Sequence, residues 1–276
     1  MAAADTPDLV AQHGRSDRTA VLRVSRHLPP RRAARLTGLM QRGEVAVLRG
    51  MAIGLRFPAR AVTPGFAHAL LILDGDLEVP VQEALRRSVA PGATVYDIGA
   101  NVGFFSLLCA RFAGEAGRVL AFEPVPDLAL QVQEAAQRSG LDGRVEVRAE
   151  AVALTEGTEA LYVVQDASWS HLASRGNPGG AVATITVPTT TVDAVVTAGA
   201  PAPDVLKLDV EGSEGDVLRG ARDTLRTHRP IVVVELHDTH ADALPVLRDA
   251  GYALEALDGP WGPDDPQCRH VLATPL

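Results

Sequence analysis

The segment Val95-Tyr96-Asp97-Ile98-Gly99-Ala100-Asn101-Val102-Gly103 leaves this chain few folds to choose from. A short apolar strand runs into a carboxylate, two glycines follow four residues apart, and Phe104-Phe105-Ser106-Leu107-Leu108 opens a helix. That order reads as strand, tight turn and helix N-terminus. Gly99 and Gly103 let a ligand reach the backbone where a Cβ would stand in the way. Asp97 lies at the carboxyl end of its strand, the edge at which open α/β sheets bind ligands. Its carboxylate is an acceptor for a cationic or hydroxyl-bearing group.

A second strand tip, Val119-Leu120-Ala121-Phe122-Glu123-Pro124, ends on Glu123, twenty residues beyond Gly103. A carboxylate there is placed to accept hydrogen bonds from two ribose hydroxyls. Asp97 and Glu123 together point to a nucleoside-bearing cofactor. The glycines do not form G-x-G-x-x-G, and no G-x-x-x-x-G-K-[ST] follows the strand, so a pyrophosphate has no cradle. S-adenosylmethionine is a nucleoside without one.

From residue 93 the pattern alternates. Strands are expected at 93–98, 118–122, 144–149, 204–209, 231–236, 252–257 and 269–274, with helices at 102–113, 126–139, 214–226 and 239–250. Such alternation builds a mainly parallel sheet covered by helices on both faces. Residues 152–200 interrupt it with strand-like runs at 161–164 and 183–187 around the Gly/Ser-rich loop 167–180, which holds Trp169 and His171. Trp169 can wall a substrate pocket or cover the core. Upstream, Pro29-Pro30 starts a helix, Val45–Leu48 and Ile53–Phe57 form a hairpin, and Val79–Ser88 is helical. The expected organisation is an N-terminal helical and hairpin cap over residues 1–77 and a catalytic domain over 78–276.

The 276 residues carry a net charge of −8, unevenly spread. Residues 1–42 hold eight Arg against three Asp, a net +5, which leaves −13 for the rest. An acidic body argues against nucleic acid as a partner, because such binding needs cationic surface. The Arg-rich start reads first as a solvated helix face. No apolar run approaches the roughly 20 residues of a membrane span, and no secretory pattern stands at the start. The cytoplasm is the expected compartment. Cys109 and Cys268 have neither metal nor disulfide spacing.

Against 25 Arg the chain has a single lysine, Lys207, inside Val205-Leu206-Lys207-Leu208-Asp209-Val210-Glu211-Gly212-Ser213-Glu214. A lysine kept against such a bias either marks a place where a compact ammonium is needed or survives there by chance. Charges inside a parallel strand are unusual, since both faces are buried. Lys207 and Asp209 are a candidate catalytic pair, or else a buried ion pair. The next strand, Ile231-Val232-Val233-Val234-Glu235-Leu236-His237, places Glu235 and His237 on one face at its tip. His237 is a candidate general base, or else a surface histidine past a strand end. Asp209, Glu211, Glu235 and His237 also offer a donor set to a divalent metal. Carboxylates gather at strand tips for other reasons, so a metal is not favoured.

Taken in order, these segments resemble the FkbM family of S-adenosylmethionine-dependent methyltransferases. The resemblance covers roughly residues 78–236. It rests on Asp97 to Gly103, Gly117 to Pro124, Ala151-Val152-Ala153-Leu154, Thr191-Val192-Asp193, Lys207 to Glu214, Val217 to Ala221 and Pro230 to Glu235. It implies a Rossmann-like class I methyltransferase fold, with a seven-stranded, mainly parallel sheet and a reversed last hairpin. It implies that Asp97, Gly99 and Asn101 contact the amino-acid part of S-adenosylmethionine, with Gly103 in the same turn and Asp209 bordering the cofactor. Glu123 would hold the ribose, and Glu150 and Ala151 would border the adenine. The implied reaction is O-methylation of a hydroxyl on a small-molecule natural product or sugar. His237 or Asp209 would be the base, and Lys207 would steady the alkoxide or fix Asp209. A nicotinamide-dependent oxidoreductase and a non-catalytic nucleoside-binding interaction module stand as alternatives. The acceptor's identity and the oligomeric state, a homodimer included, stay open.

Overall fold

The computed structural model describes residues 43–62, 69–164, 170–175 and 181–276. The N-terminal helix expected after Pro29-Pro30, and Trp169, lie outside the described residues. The chain divides into two compact units, residues 1–77 and 78–276.

In the first unit, β1 (Glu44–Ala46) and β2 (Arg56–Pro58) pair antiparallel, the expected hairpin. A helix that the sequence reading missed, α1 (Ala69–Asp74), follows. Val45, Leu55, Phe57, Ile72 and Leu73 are buried there.

The second unit opens with α2 (Val79–Ser88), whose Pro80 sits in the first turn, where its missing N–H costs nothing. Then come β3 (Thr94–Ile98), α3 (Phe104–Ala113), β4 (Arg118–Phe122), α4 (Pro126–Ser139) and β5 (Val145–Arg148). After the insertion the order is β10 (Val205–Leu208), α6 (Glu214–Arg219), α7 (Arg222–Thr227), β11 (Ile231–Glu235), α8 (His240–Asp249), β12 (Tyr252–Ala256) and β13 (His270–Pro275). The seven strands form one sheet in the order β12-β13-β11-β10-β3-β4-β5. All run parallel except β13, which enters antiparallel between β11 and β12. This is the Rossmann-like class I arrangement, with its reversed last hairpin. Among the described residues, no helix is long and apolar enough to cross a membrane.

Strand alternation sorts the core. Tyr96, Ile98, Leu206, Leu208, Val232 and Val234 point to the side packed by α6, α7 and α8. Asp97 and Lys207 point to the side packed by α3, and the register sets them directly opposite one another.

Two expectations needed correcting. The helix expected over 214–226 is two helices that break at Gly220-Ala221. A Cβ on Gly220 would lie 2.5 Å from the Ala153 carbonyl oxygen. Asp193 accepts from the Asp223 and Thr224 N–H groups and so starts the second helix anew. The insertion is also more regular than its sequence. In it, β6 (Ala151–Val152), β7 (Gly157–Val164), β8 (His171–Leu172) and β9 (Ala181–Thr190) form a second sheet in the order β6-β9-β7-β8. A short α5 (Val192–Thr197) follows, capped by the Thr191 hydroxyl.

Candidate active site

The cleft lies at the carboxyl ends of β3, β4 and β10, and measures about 610 Å³ with its open mouth. Gly99, Asn101, Glu123, Glu150, Ala151 and Asp209 all border it. Asp97, Gly103, Lys207 and His237 are not on its wall. Their sequence-derived roles therefore have to be reached from behind it.

The wall is built by close backbone approach. Gly99 has φ +81°, and a Cβ there would lie 1.8 Å from the Asp209 carbonyl oxygen. Gly103 has φ +88° and sits against Val132 at the start of α3. Asn101, Glu211 and Asp238, each three residues past the end of β3, β10 and β11 respectively, also have left-handed backbones, with φ of 53°, 49° and 58°. Such conformations cost a non-glycine residue energy and gather at functional sites.

Glu123 is 5% exposed and accepts from Asn101 N at 2.8 Å and from Val125 N at 2.9 Å. Burial pushes its carboxyl up to about 7, although both N–H groups pull the other way. Among the described residues, the buried Asn101 side-chain oxygen has no hydrogen-bond partner. Glu150 lies 3.7 Å from Arg148, and burial raises its carboxyl.

Behind this wall, Lys207 is 3% exposed. Its Nζ lies 3.2 Å from Asp209 Oδ2, 3.4 Å from the Gly99 carbonyl, 3.6 Å from Asp97 Oδ1 and 5.1 Å from the Phe105 ring centre. Burial alone would lower its ammonium, but Asp209 and Asp97 outweigh that and raise it. Burial raises both carboxyls, with Lys207 opposing. Asp97 is fully buried and also accepts from the Ser106 hydroxyl. Lys207 is thus turned to Asp209 and the Gly99 loop, not to the cleft.

His237 stands at the tip of β11, beyond Asp209. Its Nδ1 is 2.8 Å from Glu214 Oε1. Its Nε2 is 3.4 Å from Glu211, 3.5 Å from Glu235 and 3.9 Å from Asp209. Burial would lower this imidazole, but Glu214, Glu211 and Asp209 lift it to about 9. Burial lifts Glu211 to about 7. Glu235 is tied elsewhere, to Arg269 at 2.5 Å and to His270 at 3.5 Å. Burial pushes its carboxyl up, but His270 and the neighbouring cations bring it down to about 2. Of the donor set read from sequence, Asp209, Glu211 and His237 are brought together, while Glu235 clusters with Glu78 and His270 instead.

Sequence reasoning gave Glu214 no role. A first-turn glutamate reads as a solvent-facing helix charge. Only the packing of the β10 and β11 tips carries His237 onto it.

The profile of the methyltransferase FkbM domain matches residues 97–254. The hexuronic acid methyltransferase AglP of Haloferax volcanii is 31% identical over 52% of this chain and 55% of its own length. The 31-O-demethyl-FK506 methyltransferase FkbM of Streptomyces tacrolimicus is 29% identical over 62% of this chain and 76% of its own. This chain thus spans little more than half of the first relative. The crystal structure of methyltransferase FkbM from Methylobacillus flagellatus aligns with 88% of this chain and 59% of its own, at 17% identity and a TM-score of 0.47. With the profile matched over more than half its length, the chain belongs to the methyltransferase FkbM domain family.

Proposed function

We propose that this protein transfers a methyl group from S-adenosylmethionine to a hydroxyl of a small-molecule or sugar acceptor. The observation that carries the reading is the charge of the cleft. Among the described residues, Glu123, Glu150, Asp209 and Glu211 border it, and no basic side chain does. S-adenosylmethionine bears a sulfonium and an ammonium against one carboxylate and is a net cation. A dinucleotide brings a pyrophosphate, which this wall repels. The orphan Asn101 oxygen and the Gly99 backbone suit a polar ligand pressed against the turn. The printed activities of the two relatives, on a hexuronic acid and on a demethylated natural product, support a hydroxylated acceptor.

S-adenosylmethionine, when bound, would supply an electrophilic methyl carbon for the acceptor oxygen, with its sulfur as the leaving group. The chain's part is alignment and proton removal. Glu123 accepts the ribose hydroxyls at the tip of β4. Asp209, fixed by Lys207 through one oxygen, borders the cleft with the other turned toward His237. His237 Nε2 takes the hydroxyl proton once the imidazole has lost its own.

Two outcomes test this. S-adenosylhomocysteine should bind in calorimetric titration, and its affinity should rise as pH climbs through about 7, where Glu123 ionises. Glu123→Gln should weaken binding by about ten- to a hundredfold, the loss of hydrogen bonds to a charged acceptor, and flatten that rise. No binding by the unaltered protein at any pH would remove the methyltransferase reading. Turnover should rise with pH toward about 9, as His237 sheds its proton. His237→Ala should cut it about a hundredfold or more while cofactor affinity holds. Unchanged turnover in that variant would take His237 out of the reaction.

A further inference from the structure

We propose that Glu214 is a positioning residue for proton removal. It grips His237 by Nδ1 and so turns Nε2 toward Glu211 and Asp209, the carboxylates that border the cleft. The inference rests on the methyl-transfer reading above, and it stands on geometry.

Glu214 is wholly buried and makes three hydrogen bonds. Oε1 accepts from His237 Nδ1 at 2.8 Å and from Gly212 N at 3.0 Å, and Oε2 accepts from the Thr239 hydroxyl at 2.7 Å. A carboxylate buried among donors stays ionised, and hydrogen bonding outweighs burial to hold this one below the usual carboxylate range. Gly212 comes from the turn after β10, Thr239 from the turn after β11, and Glu214 itself opens α6. Three segments therefore converge on one anion, and the anion has one remaining task, the imidazole.

The other side of the ring differs. The carboxylates facing Nε2 are Glu211 and Asp209 from the β10 tip and Glu235 from the β11 tip. They stand at 3.4, 3.9 and 3.5 Å, and none makes a hydrogen bond to Nε2 among the described residues. Asp209 is held by Lys207 through Oδ2, and Glu235 by Arg269. Glu214 is thus the group that sets the ring's orientation and tautomer. With Nδ1–H committed to it, the neutral ring carries its lone pair on Nε2, on the side of the acceptor. The logic is that of a buried carboxylate behind a catalytic imidazole. Proton balance is kept within the pair. The hydroxyl proton passes to Nε2, the ring becomes a cation, and Glu214 stabilises that cation without taking the proton.

The test uses the full chain and needs no known acceptor. Imidazole nitrogens are followed by NMR against pH in the unaltered protein, Glu214→Gln and Glu214→Asp, with His237→Ala assigning the signal. In the unaltered protein the Nδ1 proton should be protected from exchange and the ring should titrate near 9. In Glu214→Gln that protection should vanish and the titration should fall toward the ordinary histidine value. Glu214→Asp should restore part of both. S-adenosylhomocysteine should bind all forms within about twofold, since Glu214 is not on the cleft wall. A His237 titration and Nδ1 protection unmoved in Glu214→Gln would overturn the proposal. Should the unaltered protein bind no S-adenosylhomocysteine, the methyl-transfer reading falls, while the NMR arm still reports whether Glu214 holds the ring. On an acceptor that the protein methylates, Glu214→Gln should lower kcat about tenfold or more with KM little changed, and move the acid limb of the profile to lower pH. A lower kcat with an unmoved limb would assign Glu214 a role in folding alone and overturn the proposal.

Discussion

Lys207→Met is expected to destabilise the protein by about 3–5 kcal/mol, the usual cost of removing one partner from a buried charge cluster. The ammonium sits inside a strand buried along its whole length, between the fully buried Asp97 carboxyl and the partly exposed Asp209 carboxyl of the cleft wall. Methionine fills the space, so the loss is electrostatic. Asp97 is left as an uncompensated anion in a low-dielectric setting, and Asp209 loses its counter-charge at the cleft edge. Their carboxyls are already raised by burial and are raised further without Lys207. A raised carboxyl favours the fold below its unfolded value and loses that contribution as pH climbs through the folded one. The deficit of the variant should therefore be largest at neutral pH and shrink on acidification, as both groups take up protons. Lys207→Met with Asp97→Asn should recover part of the loss. Lys207→Arg should also destabilise, since a planar guanidinium does not fit the niche of a point charge. Urea unfolding of the four proteins measures this. A Lys207→Met loss within about 0.5 kcal/mol, the range of ordinary surface changes, would show that the cluster is already neutral.

Gly99→Ala should cost about 4 kcal/mol or more and abolish cofactor binding, because two penalties add. A left-handed backbone disfavours alanine by about 1–2 kcal/mol. The new methyl would also lie 1.8 Å from a carbonyl oxygen of the β10 tip, so backbone must move. That tip carries Asp209 and Glu211, and moving it reshapes the cleft wall. Gly212→Ala is the control. Its φ is +95°, but a Cβ there meets nothing within 4 Å, so only the first penalty applies. Thermal melts and S-adenosylhomocysteine titrations of both variants separate the two contributions. Equal melting losses would show that the close approach at Gly99 is not what limits this turn.

Much of the second unit was legible because strands buried on both faces are written as apolar runs with a charge at the tip. The seven strands of the main sheet fall where those runs lie, and alternation alone set Asp97 and Lys207 on their faces. What escaped depends on partners distant in sequence. The break at Gly220 comes from the Ala153 carbonyl and the Asp193 carboxylate, neither of them near in the chain. The insertion pairs β6 with β9 across some forty residues, and its polar, half-exposed strands carry little periodic signal. Glu214 lies three residues from Glu211, yet one is wholly buried and the other borders the cleft. Local sequence cannot distinguish them, because His237 and Thr239 decide it from the next strand.

The reversed strand β13 governs when this sheet can be finished. β12 leaves the ribosome first, but its place is at the far side of β13, and it touches no other strand of the sheet. Until synthesis has passed residue 275, β11 therefore offers an open edge, apolar except for Glu235 at its tip, and β12 has nothing to pair with. The half of the sheet that bears Asp97 and Glu123 can form early from neighbouring βα units. Glu235, whose carboxylate is held by Arg269 and His270, must wait for the arrival of β13. The topology thus lets the β3–β4–β5 side of the sheet pair before the surroundings of His237 are complete. The stage with β11 unpaired is where a holdase would be needed and where strand exchange between copies would begin.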